Sequence, residues 1–281
     1  MRSGCYTALV TPFTADGSQV DREGLEQLTR FQIENKITGI LAVGTTGESP
    51  TLAWDEHHDV VGSVRTATKG DCLCIAGSGS NNTSEALAAT EHAAQQGADA
   101  ALLVDPYYNG PSSLEIRREY VAPIAEAFPG LDLIPYVIPG RTGAKLLPED
   151  LALLNKAYPN VRTVKEATGD LDNMRRTREC CGPDFTILSG DDALLVDMMT
   201  DKSIDAAGVI SVASNVAPKA MTGLVGLLKA GRTAEANDLA EALKPLFGLV
   251  TVTTQESTSH GDVACRARNP LAIKPFMALL G

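Results

Sequence analysis

Val161-Arg-Thr-Val-Lys-Glu-Ala-Thr-Gly-Asp170 reads as a short β-branched strand running into a turn, and a helical pattern follows over 171–181. The same order repeats along the chain. Apolar runs at 7–13, 39–43, 72–76, 98–104, 133–138, 161–167, 185–188 and 206–211 predict eight strands. Helices are predicted over 22–35 (with Asp21 as N-cap), 54–68, 84–96, 113–127, after Pro148, over 171–181, through Met199 and over 217–228. Eight β-then-α units with nearly continuous apolar strands predict an α/β fold, a closed (β/α)8 TIM barrel. A doubly wound open sheet is the alternative. It usually has fewer strands and a glycine-rich first turn, which Thr11-Pro12-Phe13 is not.

On this reading, residues 1–215 form the barrel core through strand 8. Residues 216–281 supply the last barrel helix and a C-terminal helical extension, with helices over 234–249 and 270–280, in one structural unit. Between those two helices, 251–268 is polar and irregular by composition. Pro135 falls inside the fifth strand, where a barrel has no free edge for a missing donor. A bulge, or a later strand start, is expected there.

With 281 residues, 44% of them hydrophobic, the chain can bury a substantial core. A net charge of −11 argues against nucleic-acid binding, and an anionic substrate would need positive groups supplied locally. The N-terminal segment lacks the apolar core of a signal peptide, and no apolar run reaches membrane-spanning length. A cytoplasmic protein is expected, with no membrane partner and with the Asn81-Asn82-Thr83 sequon unglycosylated. Six cysteines are too few for a disulfide scaffold, and the four histidines form no ligand cluster, so no metal is predicted.

In such a barrel, chemistry sits at the C-terminal ends of the strands. On the sixth strand Thr163, Lys165 and Ala167 share one face, opposite Arg162, Val164 and Glu166. A lysine among small inward neighbours is desolvated, which leaves a neutral amine able to attack a carbonyl. A strand-end lysine that snorkels to water is the commoner fate. The second strand ends in Gly44-Thr45-Thr46-Gly47-Glu48-Ser49, which offers hydroxyls and N–H groups suited to a small carboxylate or serves as a tight turn. Tyr107 and Tyr108 follow the fourth strand, and adjacent tyrosines there point in different directions. Tyr136 lies on the fifth strand, and Arg141 on the loop beyond can bind a carboxylate or sit in solvent. Together these groups fit carbonyl chemistry through an iminium.

Those motifs, together with Val164-Lys-Glu-Ala-Thr-Gly169, Ser189-Gly-Asp-Asp192 and Gly208-Val-Ile-Ser211, resemble the dihydrodipicolinate synthase family from about Ala8 to Leu249. The resemblance implies a cofactor-free lyase that condenses pyruvate with L-aspartate-4-semialdehyde on the way to diaminopimelate and lysine. Carried over, Lys165 forms the Schiff base, Tyr136 exchanges protons, and Thr46 links Tyr136 to Tyr108, which comes from a neighbouring subunit. Thr45, Thr46 and the Ile210 backbone surround pyruvate, Gly190 lines the pocket, and Arg141 receives the semialdehyde carboxylate. A homotetramer, a dimer of dimers, is implied. So is allosteric inhibition by L-lysine at Ser49, Trp54, His57, Asn81, Glu85 and Tyr107.

Three features depart from the family pattern. Val137 replaces the usual asparagine, 251–268 resembles an insertion, and the chain stops at Gly281, earlier than the family pattern leads one to expect. An N-acetylneuraminate lyase or a 2-keto-3-deoxy-sugar aldolase would keep the lysine and tyrosine but change the acceptor. A non-catalytic keto-acid-binding barrel is a third possibility. Arg141 within Gly-Arg-Thr-Gly favours an amino-acid aldehyde over a sugar.

Overall fold

The computed structural model describes residues 1–281. Eight parallel strands close into a barrel in sequence order. The chain runs β1 (Gly4–Ala8), α1 (Arg22–Glu34), β2 (Gly39–Ala42), α2 (Trp54–Thr68), β3 (Leu73–Gly77), α3 (Thr83–Gln96) and β4 (Ala100–Val104). After β4, α4 (Ser113–Glu115) passes through a π-helical segment, Ile116–Val121, into α5 (Ala122–Ala127). Then come β5 (Asp132–Val137), α6 (Pro139–Thr142), α7 (Pro148–Ala157), β6 (Thr163–Glu166), α8 (Leu171–Cys181), β7 (Thr186–Ser189) and α9 (Leu195–Thr200). The chain closes with β8 (Gly208–Ser211), α10 (Pro218–Lys229), α11 (Thr233–Phe247), β9 (Thr251–Thr258), β10 (Gly261–Arg268) and α12 (Ile273–Leu280).

The eight units follow the predicted order, and helix starts carry the expected caps: Asp21 accepts from the Gly24 amide at 3.0 Å. Strand alternation separates two packing layers. Tyr6, Leu41, Ile75, Leu102, Ile134 and Leu188 fill the barrel interior. Val164, Ile187, Leu133 and Leu103 face the surrounding helices. The seam between β8 and β1 pairs Gly208 with Gly4, and a Cβ on Gly208 would lie 1.9 Å from the Gly4 carbonyl oxygen. Only glycine lets these two backbones approach so closely.

Three expectations are corrected. The first strand lies earlier than 7–13, because Thr11-Pro12-Phe13 leaves the sheet and Phe13 instead bridges Val20. Pro135 causes neither a bulge nor a late start: β5 begins at Asp132 and pairs continuously with β4. The amide of Leu133 and the carbonyl of Val137 both point toward the β6 side, so the missing donor of Pro135 points there too. Pairing with β6 runs from Tyr136↔Lys165 onward, so the missing donor falls at the edge of that ladder and leaves the strand straight. Residues 251–268 form an antiparallel hairpin, not irregular chain, in register from Thr251↔Arg268 to Thr258↔Gly261. Threonine-rich β9 is polar yet β-branched, and backbone pairing needs no burial.

Against the mouth of the barrel, α12 buries Ile273 on Val10 and Val212. No helix is long and apolar enough to cross a membrane.

Candidate active site

Parallel register places Lys165 of β6 directly beside Tyr136 of β5. Both side chains enter the barrel interior, each 4% exposed. The Lys165 Nζ stands 4.1 Å from the centroid of the Tyr136 ring. Burial pushes the lysine pKa down to about 7; Asp192 pulls it up and Arg141 pushes it further down. Near neutral pH a large fraction of this amine is therefore uncharged. Burial pushes the Tyr136 phenol up to about 12, against the opposing charge of Arg141 and the hydroxyl of Thr45. Such a phenol keeps its proton at neutral pH and can donate it.

Gly190, after β7, makes room for the lysine stem. A Cβ there would meet Ala167 Cβ at 2.8 Å and Lys165 Cε at 3.1 Å. Gly190→Ala is expected to displace the amine, cutting turnover at least about tenfold. The overpacking should cost on the order of 1–3 kcal/mol of stability. Steady-state kinetics and thermal melting check both; full activity at an unchanged melting temperature would contradict this packing. On the outer face, Glu166 accepts from the Thr168 amide at 2.7 Å and from Asn173 Nδ2 at 2.9 Å, which fixes the turn after β6.

The β2 end turns through Val43 at φ 49°, an unusual backbone for a β-branched residue. This turn brings the adjacent threonines to the mouth, and they divide differently from the sequence reading. Thr45, not Thr46, is the hydroxyl against Tyr136. The Thr46 hydroxyl instead accepts from Asn269 Nδ2 at 2.9 Å. Neighbouring residues on a turning chain point in different directions, and spacing alone does not tell which faces inward.

Arg141 sits on α6 with its Nη2 donating to the Asn269 carbonyl at 3.1 Å. Ile210 is buried in the interior on β8. Tyr108 is not brought to Tyr136 within one chain: its side chain is 82% exposed. Asn81 Oδ1 accepts from the amides of Tyr107 at 2.9 Å and Tyr108 at 2.8 Å, and so presents both rings.

Thr45, Tyr136 and Arg141 line a cavity of about 370 Å³ that continues past Ser49, Trp54, Glu85 and Tyr107. Four of the six residues that the resemblance assigns to lysine binding thus open onto the same space as Tyr136. His57 is buried behind them, its ring 5.1 Å from that of Trp54, and burial pushes its pKa down to about 4.

Two residues carried no role in the sequence reading. Asn269 contacts both Thr46 and Arg141, but it lies far along the chain, and its only mark was a following proline. Asp192 accepts from the amides of Val212 at 3.0 Å and Ala213 at 2.9 Å, tying the end of β7 to that of β8. Its place in Ser189-Gly-Asp-Asp192 was the available signal.

A largely uncharged, buried amine beside a protonated phenol, at the C-terminal mouth of a (β/α)8 barrel, defines a class: barrels equipped to form an iminium with a small keto acid. The sequence profile of the Dihydrodipicolinate synthetase family matches residues 1–265. The 4-hydroxy-tetrahydrodipicolinate synthase of Nitratidesulfovibrio vulgaris is 40% identical over 279 residues, 99% of this chain and 88% of the relative. The dihydrodipicolinate synthase of Cyanidioschyzon merolae, solved with lysine bound, superposes with a TM-score of 0.90 at 36% identity, covering 99% of this chain and 88% of that one. That of Acinetobacter baumannii, solved in complex with pyruvate, gives 0.83 at 38% identity over 89% of this chain and 84% of that one. The chain belongs to the dihydrodipicolinate synthetase family.

Proposed function

We propose that the protein condenses pyruvate with L-aspartate-4-semialdehyde to 4-hydroxy-tetrahydrodipicolinate through a Schiff base on Lys165, with no cofactor. The observation that carries this reading is the Lys165 amine, buried and 4.1 Å from the Tyr136 ring. The neutral amine attacks C2 of pyruvate, and loss of water leaves an iminium. Loss of a C3 proton gives an enamine, whose carbon attacks the aldehyde of the second substrate. The amino group of that substrate then closes the ring by displacing Lys165, which returns the free enzyme. Tyr136 moves protons in these steps, with Thr45 as its hydroxyl partner. The Thr45 and Thr46 turn and the Ile210 backbone hold the pyruvate end, and Gly190 keeps the lysine stem clear. Arg141, with donors to spare beyond Asn269, takes the carboxylate of the semialdehyde.

Consumption of L-aspartate-4-semialdehyde, coupled to a reductase, tests the acceptor. Turnover of N-acetylneuraminate or a 2-keto-3-deoxy sugar in its place would overturn the assignment.

Tyr108, exposed here, serves a neighbouring copy's site on this reading, in a dimer of dimers. L-Lysine fits the Ser49, Trp54, Glu85 and Tyr107 end of the cavity, with His57 and Asn81 supporting it from behind. The Glu85 carboxylate suits the ammonium of such a ligand. Sedimentation as a tetramer and saturable heat with millimolar L-lysine are the expected results. A fully active monomer, or no heat of binding, would count against the respective assignment.

A further inference from the structure

The 251–268 hairpin is not used by the chemistry above, yet it ends beside Arg141. β10 runs directly into Asn269, whose carbonyl accepts from Arg141 Nη2 at 3.1 Å. In the other direction, Arg268 Nη1 donates to the Gly140 carbonyl at 2.7 Å. These two bonds dock the base of the hairpin on α6. Arg266 stands two residues before Arg268, so both project from one face of β10, on the order of 7 Å apart. Across the hairpin they face Thr253 and Thr251, which carry no charge. Asp262, on the same face, lies at the far end, where it accepts from Ser257.

None of Arg141, Arg266 and Arg268 pairs with a carboxylate; Arg2, Arg118 and Arg178 are likewise unpaired, whereas Arg22, Arg30, Arg117, Arg175, Arg176 and Arg232 all have carboxylate partners. The charges of Arg268 and Arg266 both reach Arg141 and, after burial, help push its pKa down. In a chain of net charge −11, Arg141 lines the cavity, and two further guanidiniums without counter-ions lie close enough to act on it. Clustered cations repel one another unless an anion comes to them.

We propose that Arg266 and Arg268 extend the Arg141 site into a cationic rim that draws small carboxylate anions to the cavity mouth. This inference rests on the reading of the site as one for carboxylate substrates. It assigns the hairpin a task in substrate capture and gives Lys165 and Tyr136 sole charge of the bond-making steps.

The test is the rate at which borohydride traps pyruvate on Lys165 at sub-saturating pyruvate, in the unsubstituted protein and in Arg266→Gln, Arg266→Glu and Arg266→Lys. Arg266 is exposed, so these changes leave the core untouched. At low ionic strength, Arg266→Gln should trap about 2–3-fold more slowly and Arg266→Glu about 6-fold, the effect of one and two unit charges about 8 Å away in water. Arg266→Lys should match the unsubstituted protein. At about 0.5 M salt the differences should vanish, since screening then acts within a few ångströms. Rates indifferent to the charge at 266, or a deficit that survives high salt, would overturn the proposal. If the unsubstituted protein forms no adduct at all, the Lys165 reading fails first and takes this one with it.

Discussion

Lys165→Ala should abolish the borohydride-trapped pyruvate adduct and lower turnover by on the order of 10⁴-fold, because Lys165 is the one buried lysine and the one beside Tyr136. The barrel itself should survive. The substitution removes a group whose burial disfavours its charged form, and the lost stem volume is offset in part by losing that desolvation. Mass spectrometry of the trapped protein, with circular dichroism of the variant, checks both halves. An adduct of unchanged yield would move the nucleophile elsewhere.

The same burial sets the pH dependence. With the amine pKa near 7, adduct formation at sub-saturating pyruvate should fall about tenfold per unit below that pH. The stability contribution has the opposite sign from that of a favourable ion pair. Between about 7 and the ordinary lysine value of 10.5, the unfolded chain holds a proton that the folded one does not. Stability from this group therefore rises with pH across that window and is flat, at its most unfavourable, below it.

Tyr136→Phe should be the second severe change, lowering kcat by about 10²–10³-fold while an adduct still forms slowly. The phenylalanine keeps the ring that packs beneath Lys165 and removes only the hydroxyl. A loss confined to stability would mean that the ring, not the phenol, matters. Comparing Thr45→Val with Thr46→Val sharpens the assignment: Thr45 faces the phenol, so its variant should lose more in kcat. Thr46 is held by Asn269, so its variant should lose more in KM.

The barrel was legible because each strand's apolar run and each helix's cap carry their own physics. Asp21 before α1 and Leu171–Cys181 behind the quoted strand read correctly without tertiary information. Strand alternation alone placed Thr163 and Lys165 on one face; that this face is buried rather than open to water is seen only in the folded barrel. What stayed hidden depends on contacts far apart in sequence. Nothing near Pro135 tells that its missing donor falls at the edge of a ladder, and nothing in Gly44-Thr-Thr-Gly47 tells which threonine turns inward. The hairpin was misread because its strands are stabilised by backbone pairing, while composition reports mainly on burial. Asn269 was missed because its two partners, Thr46 and Arg141, lie on other segments of the fold.

That asparagine has a consequence for inheritance as well as for chemistry. Its amide steadies one wall of the pocket and its carbonyl the other, and a few residues later Ile273 plugs into the barrel. The tail and the pocket are thus latched by one short span, so damage at the tail would masquerade as damage to catalysis. A lesion at Ile273, which takes no part in the chemistry itself, should surface first as weakened substrate affinity, well before the protein ceases to fold.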